Sequence, residues 1–237
     1  MKRTKRFLLA AFLAQVLLAC AFWQSRALAD TSPYPVRASL DEYMMPVASE
    51  IALARSAAPP AIAAGAEVMV LGRDGYSASV KGRNGFLCIV ERSWGAATDD
   101  SGFWNPKVRA PICFNPSAAR TFARIYLVKT RWVLSGKSRT QIARALESGL
   151  AEKQSPAPEP GAMCYMMSKK QYLGDRDKDW RPHLMFFVSG DTAKSWGANV
   201  PGSPIMAFND PEERVTVFLV TVGHWSDGSP APHVMHP

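Results

Sequence analysis

Apolar positions change their spacing three times along this chain, and each change marks a change of element. From Ser39 to about Ala57 the spacing is helical, and Ser39-Leu40-Asp41-Glu42 has the form of a capping box that opens the segment. Pro46 interrupts it, because a proline inside a helix removes a hydrogen bond; the helix is disturbed there or begins there. Pro59-Pro60 ends it. From Glu67 the pattern becomes extended. Glu67 to Leu71, Tyr76 to Val80 and Phe86 to Arg92 are rich in β-formers, separated by Asp74-Gly75 and Asn84-Gly85, so a three-stranded meander is expected. Residues 93 to 109 then hold Trp94, Phe103 and Trp104 among turn-forming residues, as a flap packed on the core or as a binding surface.

Helical spacing returns after Asn115-Pro116, an N-cap followed by a first-turn proline. Ala118, Phe122, Ile125, Tyr126, Trp132 and Val133 share one face of a helix expected to run to about Ser135, with Gly136 as its stop. A second capping box, Ser138-Arg139-Thr140-Gln141, opens a helix striped with Ile142, Ala145, Leu146 and Leu150, which completes a helical hairpin. Beyond a proline-rich connector over 154 to 161, four more extended segments follow: Met163 to Ser168, His183 to Val188, Ile205 to Phe208 and Val215 to Val222. Strands, then helices, then strands predict an α+β domain over residues 39–225. Its sheet is expected to be mostly antiparallel, with the N-terminal helix and the hairpin packed on one face.

The first 29 residues stand outside that pattern. Lys2 to Arg6 form a basic region, Phe7 to Trp23 an apolar run, and Ala27-Leu28-Ala29 a small-x-small site, the three parts of a secretory signal peptide cleaved after Ala29. Leu17-Leu18-Ala19-Cys20 also resembles a lipobox that would place a lipid on Cys20. Ala21-Phe22-Trp23 argues against that, since it prolongs the apolar run where a polar tether should begin. No later stretch is long enough to span a bilayer. Residues 30–38 read as a flexible N-terminal arm and 226–237 as a flexible C-terminal tail. The expected location is therefore periplasmic or secreted, where disulfides persist. Three cysteines remain, and Cys88 with Cys113, on two short strand-like segments that can lie side by side at a sheet edge, is the expected pair; Cys164 is left as a buried thiol.

Charge changes the picture next. The chain carries 28 Lys plus Arg against 20 Asp plus Glu, a net +8. Five of the basic residues, Lys2, Arg3, Lys5, Arg6 and Arg26, lie in the signal segment, leaving 23 against 20, or +3, afterwards. Residues 107–153 hold ten basic residues and two acidic ones, and the remaining mature chain holds 13 and 18, so +8 sits beside −5. Arg120, Arg124 and Arg131 fall on one expected helix face, either a solvated outer face or a surface for an anionic envelope component. Export and the lack of any known motif argue against nucleic acid.

Few chemical motifs survive inspection. Gly136-Lys137-Ser138 lacks the first glycine of a phosphate-binding loop and joins two helices. There is no Gly-x-Ser-x-Gly and no His-Glu-x-x-His. Asp175, Asp177 and Asp179 alternate as in a calcium loop, but Trp180 and Phe186 stand where glycine and glutamate are required. Met163, Cys164 and Met166 on one strand alternate between its faces, which suits a core better than a copper site. No metal and no cofactor is implied. His183 opens an otherwise apolar strand, either as a hydrogen-bonded structural residue or as a base.

Three blocks, Glu50 to Pro59, Asn84-Gly85-Phe86 with Cys88 and Val90-Glu91-Arg92, and Pro182 to Phe187, resemble those of a family of exported bacterial proteins without an assigned function. The resemblance covers about residues 45 to 225 and implies a shared fold but no activity; Cys88 and Cys113 match its pattern. The sequence thus leads to an exported domain that binds a small molecule or envelope component, through a pocket built from Glu91, Arg92, Trp94, His183 and Trp196. Two other readings compete with it. One is a hydrolase-like enzyme pairing His183 with a carboxylate such as Glu91; the other is a structural protein docking its basic helical face on anionic lipid.

Overall fold

The computed structural model describes residues 32–149, 156–175 and 180–231. The signal segment with Cys20 and the Ala29 cleavage site, most of the Asp175 to Asp179 loop, and the end of the expected C-terminal tail lie outside the described residues. Among the described residues no helix is long and apolar enough to cross a membrane.

The molecule is an α+β domain built on one eight-stranded sheet. Its strands are β1 (Glu67–Gly72), β2 (Gly75–Val80), β3 (Leu87–Glu91), β4 (Ala110–Phe114), β5 (Met163–Met166), β6 (His183–Ser189), β7 (Ile205–Asp210) and β8 (Val215–Thr221). They lie in the order β2-β1-β3-β4-β5-β6-β8-β7, with β1–β3 the parallel neighbours and every other pair antiparallel. Among the described residues the α-helices are α1 (Leu40–Tyr43), α2 (Val47–Arg55), α3 (Pro60–Ala63), α4 (Pro116–Arg120), α5 (Ala123–Leu134) and α6 (Arg139–Glu147).

The expected meander is half right. Asp74-Gly75 closes the β1–β2 hairpin, but β3 pairs with β1 and runs parallel to it. Asn84-Gly85 does not make a hairpin turn, because Asn84 is occupied elsewhere: its Oδ1 accepts from the Phe86 N–H and its Nδ2 donates to the Ile62 carbonyl. The Arg83 and Asn84 N–H groups both donate to the Gly65 carbonyl, so the chain steps across the start of β1 and emerges on its far side. Gly82 makes that step possible, since a Cβ there would stand 2.5 Å from the Glu67 nitrogen.

Both long expected helices are divided. Met44 is extended at the end of α1, and Pro46, which disfavours helical backbone at Met45 before it, becomes the cap of α2. In the second region Thr121 leaves helical geometry between α4 and α5, and its hydroxyl donates to the Ser117 carbonyl at 2.6 Å, a local bond that competes with the helix ladder. Both capping boxes form, at Ser39 with Glu42 and at Ser138 with Gln141.

Alternation along β3 and β4 divides the core in two. Cys88, Val90 and Cys113 pack with Val68 beneath Leu53 and Ala54 of α2. Leu87, Ile89, Ile112 and Phe114 face the other way, against Phe122 and the α5 residues Ile125, Tyr126 and Val133. The helices therefore cover both faces instead of gathering on one. Trp94, Phe103 and Trp104 are buried in this second layer, so the aromatic loop belongs to the core. Cys88 and Cys113 lie opposite one another and are joined by a disulfide, in the interior of the sheet and not at its edge. Cys164 is a buried free thiol. It sits in the second layer, on the opposite side of the sheet from the disulfide.

Candidate functional site

Beyond the end of β3 the chain turns through Ser93–Gly95, and there a cavity of about 530 Å³ opens between the ends of β3, β4 and β5. Glu91, Ser93, Asn105 and Met166 line it from within. Ser32 to Tyr34 lie over its rim. The Ser32 hydroxyl donates to the Ser101 carbonyl and the Tyr34 hydroxyl to the Asp175 carboxylate, while the Arg37 guanidinium reaches the Val133 carbonyl. Residues 32–38, expected as an arm, are thus laid against the domain.

Glu91 is the cavity's most unusual group. It is 8% exposed, its Oε1 has no hydrogen-bond partner, and burial pushes its carboxyl well above the ordinary range despite the opposing pull of Lys129. Its Oε1 lies so close to Gly95 that a Cβ there would stand 3.0 Å away. Ser93, 4% exposed on the same wall, also has an unpartnered Oγ. Ordinary cores satisfy such atoms, so two neighbouring lining residues that each keep an unpartnered oxygen set this wall apart.

Beneath Glu91 lies a buried ion pair that the sequence reading missed. Lys129 of α5 is fully buried; its Nζ meets Glu213 Oε1 at 2.9 Å and donates to the Ala96 carbonyl at 2.8 Å and the Gly95 carbonyl at 3.3 Å. It pins the cavity wall to the helix. Glu213 is pushed upward by burial, partly offset by Lys129. A signal was present in the sequence: Lys129 follows Ile125 and Tyr126 and precedes Val133 at helical spacing, so a lysine stood on the apolar stripe.

The expected pocket residues are not brought together. Arg92 borders the cavity, but successive strand residues point to opposite faces, and its guanidinium goes to the α2 side. There it pairs with Glu50 at 3.0 Å and donates to the Tyr43 and Val90 carbonyls. Trp94 is sealed in the core, with its Nε1 on Thr130 Oγ1 at 2.9 Å. His183 lies three strands from Glu91, roughly 14 Å at the usual strand spacing. It is 2% exposed, its Nδ1 is bonded to the Arg181 carbonyl at 2.8 Å, and burial lowers its pKa. That placement separates His183 from Glu91, so the two are not paired as base and carboxylate. Trp196, 41% exposed, stacks on Phe218 towards the β7 edge and on the other side of the sheet. Arg120 stands on α4 and pairs with Glu159 at 2.6 Å, while Arg124 and Arg131 are exposed on α5; the three do not share one continuous helix.

A second cavity, of about 510 Å³, lies among Phe122, Ile125, Leu146, Pro156 and Val215. Among the described residues, none that line it has a buried polar side-chain atom without a partner. Among the described residues there is also no cluster of three or more His, Cys, Asp or Glu arranged to hold a metal ion. Compared with protein-family models, curated proteins and solved structures, the chain matches none.

Proposed function

We propose that this is an exported protein whose domain binds a small polar molecule in the cavity at Glu91 and Ser93. The observation that carries the reading is that two neighbouring residues lining one cavity, Glu91 and Ser93, each keep a buried side-chain oxygen without a hydrogen-bond partner. Each such atom costs about 1–3 kcal/mol when left unsatisfied, and a ligand that hydrogen-bonds to it recovers that cost. A volume of about 530 Å³ falls in the range of small-molecule sites. The signal-peptide pattern of residues 1–29 supports export, and so does the Cys88–Cys113 disulfide, since such bonds persist in oxidising compartments.

The test is thermal unfolding of the purified protein against a library of amines, amino acids, sugars and polyols, in parallel with Ser93→Leu, which fills the cavity wall. The reading expects at least one compound to raise the melting temperature of the wild type and not of the variant. No shift from any compound, or equal shifts in both proteins, overturns it.

A further inference from the structure

We propose that the ligand of this cavity carries an ammonium group, received by Glu91 as a carboxylate. The inference rests on the binding reading and names the chemistry of its ligand.

Of the described residues that line the cavity, Glu91, Asp100 and Asp175 bring carboxyl groups, and Arg92 is the one with a basic side chain. Arg92 does not offset them, because its guanidinium lies on the opposite face, held by Glu50 and two backbone carbonyls. Asp175 at the rim is already engaged by the Tyr34 and Tyr172 hydroxyls and by Lys107 at 3.3 Å. Asp100 accepts from the Gly102 N–H. Glu91 is left as the deep carboxyl with an oxygen to spare.

The charges packed around Glu91 leave the same vacancy. From α5 come Lys129 and the Tyr126 ring; from the turn before β8 comes Glu213, whose N–H donates to Asp210 of β7. Lys129 is spent on Glu213 and on the Gly95 and Ala96 carbonyls. Two buried carboxyl groups therefore share one buried ammonium, and an ionised Glu91 lacks a counterion. Burial favours its neutral form when no ligand is bound. An ammonium ligand supplies the missing charge: Glu91 releases its proton to solvent and keeps the ligand's positive charge beside its carboxylate. A neutral ligand gains no such ion pair, and an anionic one meets repulsion.

Isothermal titration with three molecules of one length, butane-1,4-diamine, butane-1,4-diol and succinate, separates the possibilities. The diamine is expected to bind at least about tenfold tighter than the diol, with no binding of succinate. Its heat should differ between buffers of unequal ionisation enthalpy, reporting the released proton. Glu91→Gln should weaken the diamine at least about tenfold and abolish the buffer dependence. Should that variant fold poorly, the wild type still decides. Its affinity for the diamine must fall as pH drops, by up to about tenfold per pH unit while Glu91 is protonated in the empty cavity. Diol or succinate binding as tightly as the diamine overturns the ammonium inference and leaves the binding reading standing. So does a diamine that does not bind in a protein stabilised by another class of compound.

Discussion

Lys129 of α5 and Glu213 of the turn before β8 meet at 2.9 Å with both side chains shut away from solvent. The pair joins two elements 84 residues apart and, through the Gly95 and Ala96 carbonyls, fixes the wall on which Glu91 and Ser93 stand.

Removing one partner of this pair leaves the other buried without compensation. Lys129→Met should cost about 3–5 kcal/mol, and Lys129→Met combined with Glu213→Gln should recover a large part of that loss. Urea unfolding of both variants checks it. A single variant as stable as the wild type would mean that the pair is not buried as described.

Glu91 and Glu213 both have raised pKa values in the folded protein, opposite to the usual carboxylate case. The folded state then holds protons that the unfolded state has released. Stability is full below the unfolded carboxyl pKa and falls as pH rises from there towards the folded pKa, by up to about 1.4 kcal/mol per pH unit for each group. Glu91→Gln should flatten this decline, gaining on the wild type as pH rises. Denaturant midpoints measured from pH 4 to pH 9 give the slopes, and parallel curves for the two proteins would contradict the assignment.

Closing a loop across a sequence separation of 25, the Cys88–Cys113 disulfide should contribute roughly 3 kcal/mol. Cys164 cannot substitute for either partner, since it lies on the other side of the sheet and burial raises its thiol pKa far above the ordinary value. Peptide mapping under native conditions should find Cys164 unmodified by maleimide and Cys88 linked to Cys113. Rapid labelling of Cys164 would refute this placement.

Gly82→Ala places a methyl group against the Glu67 backbone, which cannot yield as a side-chain tip would. A loss of about 1–3 kcal/mol is expected, as for other overpacked sites. Wild-type stability in this variant would argue against the parallel β1–β3 pairing, because that pairing is what brings residue 82 over Glu67.

Much of the architecture was legible locally. Capping boxes at Ser39 and Ser138 mark helix starts, short extended apolar segments mark β5 to β8 within a few residues, and the β1–β2 turn follows from Asp74-Gly75. What failed depended on distant partners. Asn84 turns the chain by reaching Ile62, and no nearby residue announces that bond. The site was legible in part. Glu91 is among the expected pocket residues, but period-two alternation implies that Arg92 faces away from it. Lys129 was visible as a cation on an apolar stripe, whereas its partner Glu213 was not, because the turn that carries it arrives from the far end of the sheet.

The most direct test of the cavity is an amide chemical-shift map of the 15N-labelled protein with a stabilising compound from the thermal screen. The account predicts perturbations concentrated at residues 91–96, 100–105 and 173–175, and their loss in Ser93→Leu. Perturbations centred on His183 and Trp196, with residues 91–96 unmoved, would contradict it.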